Sequence, residues 1–179
     1  MQYHYRAAGQ PVVPLDFDEV GTRSELAAYL GVRVYDTSSS GKQGNLYQFV
    51  KGVASGAKGK VVLVQDNACV LLTAAIADQK GVRGVMCAAL DAATDYGWVC
   101  LQFQPDPSGT AAADTFGVLV DANTSADALL HTGATAGQLA SGQIVGGHRP
   151  VRNIGLGTVQ GGSAGVNTTA WWDFLRTTT

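Results

Sequence analysis

The chain has 179 residues and a formal net charge of −2, with 46% hydrophobic residues and only 15% charged residues. This length usually makes one domain, large enough to bury a sizeable core without disulfides or metals. A nearly neutral chain offers no field suited to holding DNA or an anionic membrane, so both classes of partner are disfavoured. Charged residues fall below the roughly 25% of an average soluble domain, which predicts a surface that is neutral or covered by partners.

Residues 1–23 predict an extended N-terminal arm. Pro11 and Pro14 forbid regular pairing over much of its length. The first residues also lack the basic-then-apolar form of a signal peptide, so we expect no secretion by that route. Apolar side chains on such an arm are costly to leave in water, which predicts docking on a neighbouring subunit or another partner. The candidate interface residues of the arm are Tyr3, Tyr5, Leu15 and Phe17.

Residues 24–30 are the best helix candidate in the chain. Ser24 is expected as the N-cap, with Glu25 in the first turn and Gly31 as the stop signal. An isolated helix this short is marginal in water, so it must dock on its own domain or on a neighbour.

Beyond residue 31 the pattern changes to short β-type runs separated by turn signals. The predicted strands are 32–35, 46–51, 60–65, 68–73, 84–89, 97–103, 116–120, 152–159 and 168–176. A further surface hairpin is expected over 132–139. Many short strands at this spacing predict a single all-β domain over 24–179, a compact antiparallel sandwich or barrel.

The strand predicted over 97–103 is apolar on both faces. Side chains alternate along a strand, which places Val99, Leu101 and Phe103 on one face and Trp98 and Cys100 on the other. A strand covered on both sides belongs inside a sandwich, barrel or tight oligomer.

The last predicted strand places Trp171 and Trp172 on opposite faces. One indole is therefore expected in the core and the other pointing outward. Exposed aromatics of this size favour interfaces, because a ring gives a large contact area at little rotamer cost. Both tryptophans join the candidate interface, with a wholly buried pair as the alternative.

The sequence gives little support for an enzyme. Gly161 to Gly165 fits the G-x-S-x-G pattern of a serine hydrolase, but no histidine follows Ser163, and the residues after it favour β structure. His4, His131 and His148 stand apart without metal-ligand spacing. We therefore expect no catalytic residue, no metal and no cofactor.

Cysteine and aspartate usage points to structural roles. Cys69, Cys87 and Cys100 each lie in an apolar run without C-x-x-C spacing, which predicts small buried side chains made in a reducing cytoplasm. Aspartates between Arg83 and Arg149, including Asp95, lie beside turn formers, so we expect them to hydrogen-bond their own backbone.

Several runs together resemble one family. They are 30–35, 46–51, 60–64, 84–87, 95–99 and 134–139, of which Tyr96-Gly97-Trp98-Val99 is the most specific. In these runs the chain resembles the small β-rich head decoration, or cement, proteins of tailed bacteriophages. The resemblance covers about residues 30–179 and leaves the first 29 unmatched.

The resemblance implies a structural virion protein, made in the host cytoplasm, that adds to the outer surface of an assembled icosahedral head. Such proteins commonly act as homotrimers and bridge neighbouring subunits of the major capsid protein. The family brings no catalytic residues, small-molecule substrate, nucleic acid or membrane partner.

Two other functions stay open at this point. One is a carbohydrate-binding β module of a virion or tail appendage, with Trp171 or Trp172 as a stacking platform for a sugar ring. The other, less favoured, is a serine hydrolase acting through Ser163.

Overall fold

The computed structural model describes residues 4–5, 13–36, 45–103, 118–120, 130–141, 150–151, 154–156, 167–168 and 170–175. Strands dominate these residues, which confirms the predicted all-β class. The strands are β1 (His4–Tyr5), β2 (Arg33–Asp36), β3 (Asn45–Lys51), β4 (Val61–Gln65), β5 (Ala68–Leu71), β6 (Val82–Met86), β7 (Tyr96–Phe103), β8 (Val118–Leu119), β9 (Leu130–Thr132), β10 (Leu139–Ser141), β11 (Ile154–Leu156), β12 (Asn167–Thr168) and β13 (Ala170–Asp173).

Five strands pair in a closed ring and form a small barrel. The order around the ring is β3, β5, β4, β6 and β7, and β7 pairs back onto β3. These pairings are antiparallel except that between β3 and β5, which is parallel and joins Lys51 to Ala68. The sheet is therefore mixed, whereas the sequence predicted an antiparallel one.

A tight turn sets the register of β4 and β5. Asp66 and Asn67 have φ angles of 49° and 61° and separate the paired residues Gln65 and Ala68. Positive φ at both central residues matches the two-residue hairpin turn that follows the natural twist of the strands, and Asp and Asn tolerate this conformation.

Two wings extend the sheet beyond the barrel. β2 pairs with the first half of β3, and β1 then pairs with β2. At the other side β13 pairs with the end of β7, and β11 pairs with β13. Each of β3 and β7 therefore takes part in both the barrel and a wing.

The inside of the barrel is filled by apolar side chains. Alternate residues of all five barrel strands contribute to one cluster, as the period of two in a strand requires. Its buried members are Leu46, Val50, Val62, Val64, Cys69, Met86, Ala88, Leu90, Val99 and Leu101. Burying a side chain of this kind is worth roughly 1.5–3 kcal/mol, so this cluster is a main source of stability.

A second apolar cluster covers the outer face of the same strands. It includes Tyr47, Phe49, Val85, Trp98 and Cys100. The two-sided burial predicted for β7 is thus confirmed within one chain. One detail was wrong: Phe103 belongs to the outer cluster, although its parity matched Val99 and Leu101.

The hairpin of β9 and β10 confirms the pairing predicted over 132–139, and Ala134 and Thr135 at its tip are exposed, while its strands contribute to the core. Leu130 and Leu139 are buried in the outer cluster. Gly137, at φ 79°, accepts a hydrogen bond from Val61 N (2.7 Å) and donates one to Leu72 O (2.8 Å). The turn of this hairpin is therefore bonded to the barrel.

The helix is present over Ser24–Tyr29, but as a 3-10 helix. Arg23, not Ser24, is the N-cap, and no side chain caps the helix. Leu26 is buried in the outer cluster, so the helix docks on its own domain. Gly31, at φ 84°, follows the helix as the predicted stop.

Candidate functional site

Three aromatic rings lie together on the outer face of the barrel. Tyr47 and Phe49 alternate along β3, and Phe49 is paired with Trp98 of β7. The rings of Phe49 and Trp98 meet edge to face, with centroids 5.1 Å apart and planes at 71°. We call Tyr47, Phe49 and Trp98 the aromatic platform.

The platform is occupied by the chain's own N-terminal segment, which we define as Val13–Gly21. Phe17 stacks on Tyr47 at a centroid distance of 3.9 Å and meets Trp98 edge to face at 5.2 Å. Trp98 Nε1 donates a hydrogen bond of 3.0 Å to Leu15 O. Aromatic pairs of this geometry add about 0.5–1.5 kcal/mol each beyond the burial of their area.

A short backbone pairing anchors the end of the segment. Gly21 N donates to Tyr96 O at 2.9 Å, and Tyr96 N donates to Gly21 O at 2.7 Å. Gly21 is buried, and a Cβ there would collide with Leu26 Cδ1. Glycine thus allows the segment and the 3-10 helix to pack closely.

These contacts give the predicted arm partners within its own chain. Val13, Leu15 and Phe17 pack against the chain's own outer cluster, so residues 13–21 help to complete the domain. The sequence had assigned Leu15 and Phe17 to an interface with another subunit. That assignment rested on the two prolines, which prevent strand pairing but do not prevent side-chain packing.

The structure also places the other predicted interface residues. Trp172 is 1% exposed, stacks on Phe103 at 4.7 Å and donates from Nε1 to Cys100 O at 3.0 Å. It is a core residue and is not available as an interface or a sugar-stacking platform. The Trp171 backbone pairs with Gly155, but its side chain lies outside the described residues.

Of the remaining two predicted interface residues, Tyr5 lies in β1, an edge strand of the described sheet. The Tyr5 backbone pairs with Tyr35, while Tyr3 lies outside the described residues, as does Ser163. Tyr35 itself is 50% exposed, although its neighbour Val34 is buried. Tyr35 was not among the predicted interface residues, yet its alternation with Val34 was the signal for a surface aromatic.

Polar side chains inside the fold hold backbone or one another. Asp95 Oδ2 accepts a bond of 2.9 Å from Ala92 N, which confirms the predicted turn role. Gln48 accepts from Arg33 Nε at 2.9 Å and donates to Asn67 Oδ1 at 3.2 Å. Within the described ranges, no group of three His, Cys, Asp or Glu residues is placed to hold a metal ion.

The three cysteines are buried free thiols, as predicted. Burial raises the pKa of the Cys69 thiol to about 12. Burial also raises the pKa of Cys87 and of Cys100 well above the ordinary range, and the opposing effect of the Lys58 ammonium on Cys87 is smaller. The thiolate is the reactive form of cysteine, so these positions are chemically inert in the folded protein.

We expect the native protein to resist alkylation by iodoacetamide at pH 8. A thiol with a pKa near 12 carries roughly a thousandfold less thiolate at that pH than a free one of pKa about 8.5. Thiols in the unfolded chain ionise near their ordinary pKa of about 8.5, while the folded thiols stay protonated. The free energy of unfolding is therefore expected to fall as the pH rises above about 8.5. Mass spectrometry of alkylated protein, native and in urea, measures this. Full labelling without denaturant would contradict it.

Of the described part of the chain, no helix is long and apolar enough to span a membrane. Comparison with known proteins found no matching family model, no matching curated protein and no matching solved structure. The resemblance to decoration proteins therefore stays a prediction from the residues themselves.

Proposed function

We propose that this chain is a structural virion protein that decorates an icosahedral phage capsid and stabilises it by bridging neighbouring major capsid subunits. The observation that carries the proposal is the position of Tyr96-Gly97-Trp98-Val99, the run most specific to the resemblance. This run begins β7, which pairs with both β3 and β6 and so closes the barrel.

The dense packing supports a protein that acts through contacts made by its outer surface. Aliphatic side chains fill the inside of the barrel, and a second apolar cluster covers its outer face. A densely packed barrel of low charge is suited to a subunit that packs against copies of itself and against a capsid shell. Each contact can be weak, because many copies act together on one capsid.

The polar and sulfur side chains described above support a non-catalytic role. Asp95 holds a turn, Gln48 bridges Arg33 and Asn67, and the buried thiols stay protonated. Each has a structural partner or an apolar surrounding. The proposed protein binds by surface complementarity alone, without a substrate, metal or cofactor.

Tyr35 replaces the arm residues as the candidate contact with the capsid or with a neighbouring copy. It is the most exposed of the large apolar side chains described, and the others are Val20, Val70 and Leu175. Tyr35 lies on β2, in the wing that projects from β3. Tyrosine supplies a large contact area together with a hydroxyl that hydrogen-bonds at a wet interface.

The test is sedimentation of the purified protein with undecorated heads of the phage that encodes it. We expect the protein to co-sediment with heads and to raise the temperature at which they rupture. We expect Tyr35→Ser to weaken binding roughly tenfold, about 1.4 kcal/mol, and the matched surface variant Val70→Ser to bind like the parent.

Three results would each count against a part of this proposal. Failure of the parent protein to bind heads at saturating concentration would remove the capsid role. A monomer at micromolar concentration in sedimentation-velocity experiments would remove the homotrimer, since low charge and extensive apolar cover predict self-association. Equal losses in Tyr35→Ser and Val70→Ser would remove Tyr35 as the specific contact.

A further inference from the structure

The N-terminal segment is attached to the barrel mainly through side chains. Val13, Leu15 and Phe17 pack inward, whereas Pro14, Asp16 and Asp18 between and beside them are exposed. The segment runs outside the named strands of the sheet, and its backbone pairing with the barrel is the isolated bridge of Gly21 to Tyr96. Structure held by few backbone bonds opens at a lower free energy than a paired core strand.

The segment also carries part of its structure with it. Glu19 N donates to Asp16 O at 3.2 Å, and Asp16 N donates to Glu19 Oε2 at 3.2 Å. These bonds close a local turn that makes no use of the barrel. The turn brackets Phe17, so the ring that fits the aromatic platform is presented by a locally organised piece of chain.

A potential hinge follows the segment. Thr22 and Arg23 are exposed, and Arg23 has an extended backbone at φ −77° and ψ 133°. The 3-10 helix that begins at Ser24 has no side-chain cap holding it to this connection. Rotation at these two residues redirects the segment together with β1, which precedes it and pairs with β2, and it leaves the strands from β2 onward paired with one another.

We propose that the N-terminal segment exchanges between copies of this chain, so that Leu15 and Phe17 of one copy occupy the aromatic platform of a second copy. The contacts are the same in either arrangement, because donor and acceptor surfaces are identical in every copy. Exchange of an identical element is a low-cost route to association. This proposal is independent of the capsid role.

The chemistry of the platform favours a second copy over an unrelated partner. Tyr47, Phe49 and Trp98 are buried beneath the segment in the closed domain, and Trp98 Nε1 needs the acceptor that Leu15 O provides. A displaced segment exposes the platform and its own apolar side chains at once. Each surface is then satisfied by the complementary surface of another copy, and high local concentration favours that outcome.

Photo-crosslinking of the full chain with mixed isotopes tests the exchange. A diazirine analogue of leucine replaces Leu15 in two pools of protein, one of natural isotopic abundance and one labelled with heavy nitrogen. The pools are mixed, incubated over a range of concentrations and irradiated, and linked peptides are analysed by mass spectrometry. We expect links between a light segment and a heavy barrel, at a frequency that rises roughly in proportion to protein concentration.

The same diazirine at Leu63 is the matched control. Leu63 is fully buried and belongs to the barrel strand β4, so its links are expected to join peptides of one isotope only. Links from Leu15 that stay within one isotope at every concentration would overturn the proposal. Equally frequent mixed links from Leu63 would also overturn it, because general unfolding and reassociation would then explain the mixing.

Discussion

Removal of residues 1–22 is expected to lower the free energy of unfolding of the domain by about 3 kcal/mol or more, and to lower its urea midpoint accordingly. The deletion takes away Val13, Leu15 and Phe17, which pack on the outer cluster, and it uncovers Tyr47 and Trp98. Full burial of one such side chain is worth roughly 1.5–3 kcal/mol, so three half-buried side chains contribute about 3 kcal/mol together. The lost cover of the rings adds to this, against a total stability of about 5–15 kcal/mol for a typical domain.

Urea unfolding followed by circular dichroism measures the effect. The point variant Phe17→Ala is expected to lose about 2 kcal/mol, roughly half of the 3–5 kcal/mol that a fully buried phenylalanine costs. Its matched control is Asp18→Ala, an exposed neighbour, with a change within about 0.5 kcal/mol. A truncated domain with the same urea midpoint as the full chain would restore the original prediction of a separate arm.

The sequence predicted the fold well where one strand could be read alone. Alternation along Tyr96–Phe103 was enough to place Trp98 and Cys100 on one face and Val99 and Leu101 on the other. The Asp66-Asn67 turn was equally local, because its backbone conformation depends on those two residue types. Local rules of this kind do not depend on which part of the chain covers each face.

The same local rules cannot predict contacts between residues that lie far apart in the sequence. Nothing in Phe17 itself indicates that it meets Tyr47, which lies thirty positions further along the chain. The parallel contact of Lys51 with Ala68 is also a property of the closed ring and not of either strand. Leu15, Phe17 and Trp172 were predicted as interface residues and have partners within their own chain, because an apolar side chain looks the same whether its partner is internal or external.

Trp172→Ala is expected to cost about 3–5 kcal/mol of stability, because the indole is fully buried and the surrounding core collapses only in part. Trp172 links the C-terminal wing to the barrel through its stack on Phe103 and its bond to Cys100 O. Trp172→Phe keeps an aromatic ring for the stack but removes the hydrogen bond to Cys100 O and part of the buried ring, at about 1–3 kcal/mol.

The order of urea midpoints should therefore be parent, then Trp172→Phe, then Trp172→Ala, with Leu175→Ala close to the parent because that side chain is 38% exposed. Native mass measured at equal concentrations of folded protein separates this core role from the interface role first assigned to Trp172. A core residue changes the midpoint and leaves the mass of the folded species unaltered, since its ring touches only its own chain. Substitution of an interface residue would instead change the native mass and leave the urea midpoint unaltered. A folded Trp172→Ala species of smaller mass with a parent-like midpoint would therefore support an interface role for Trp172.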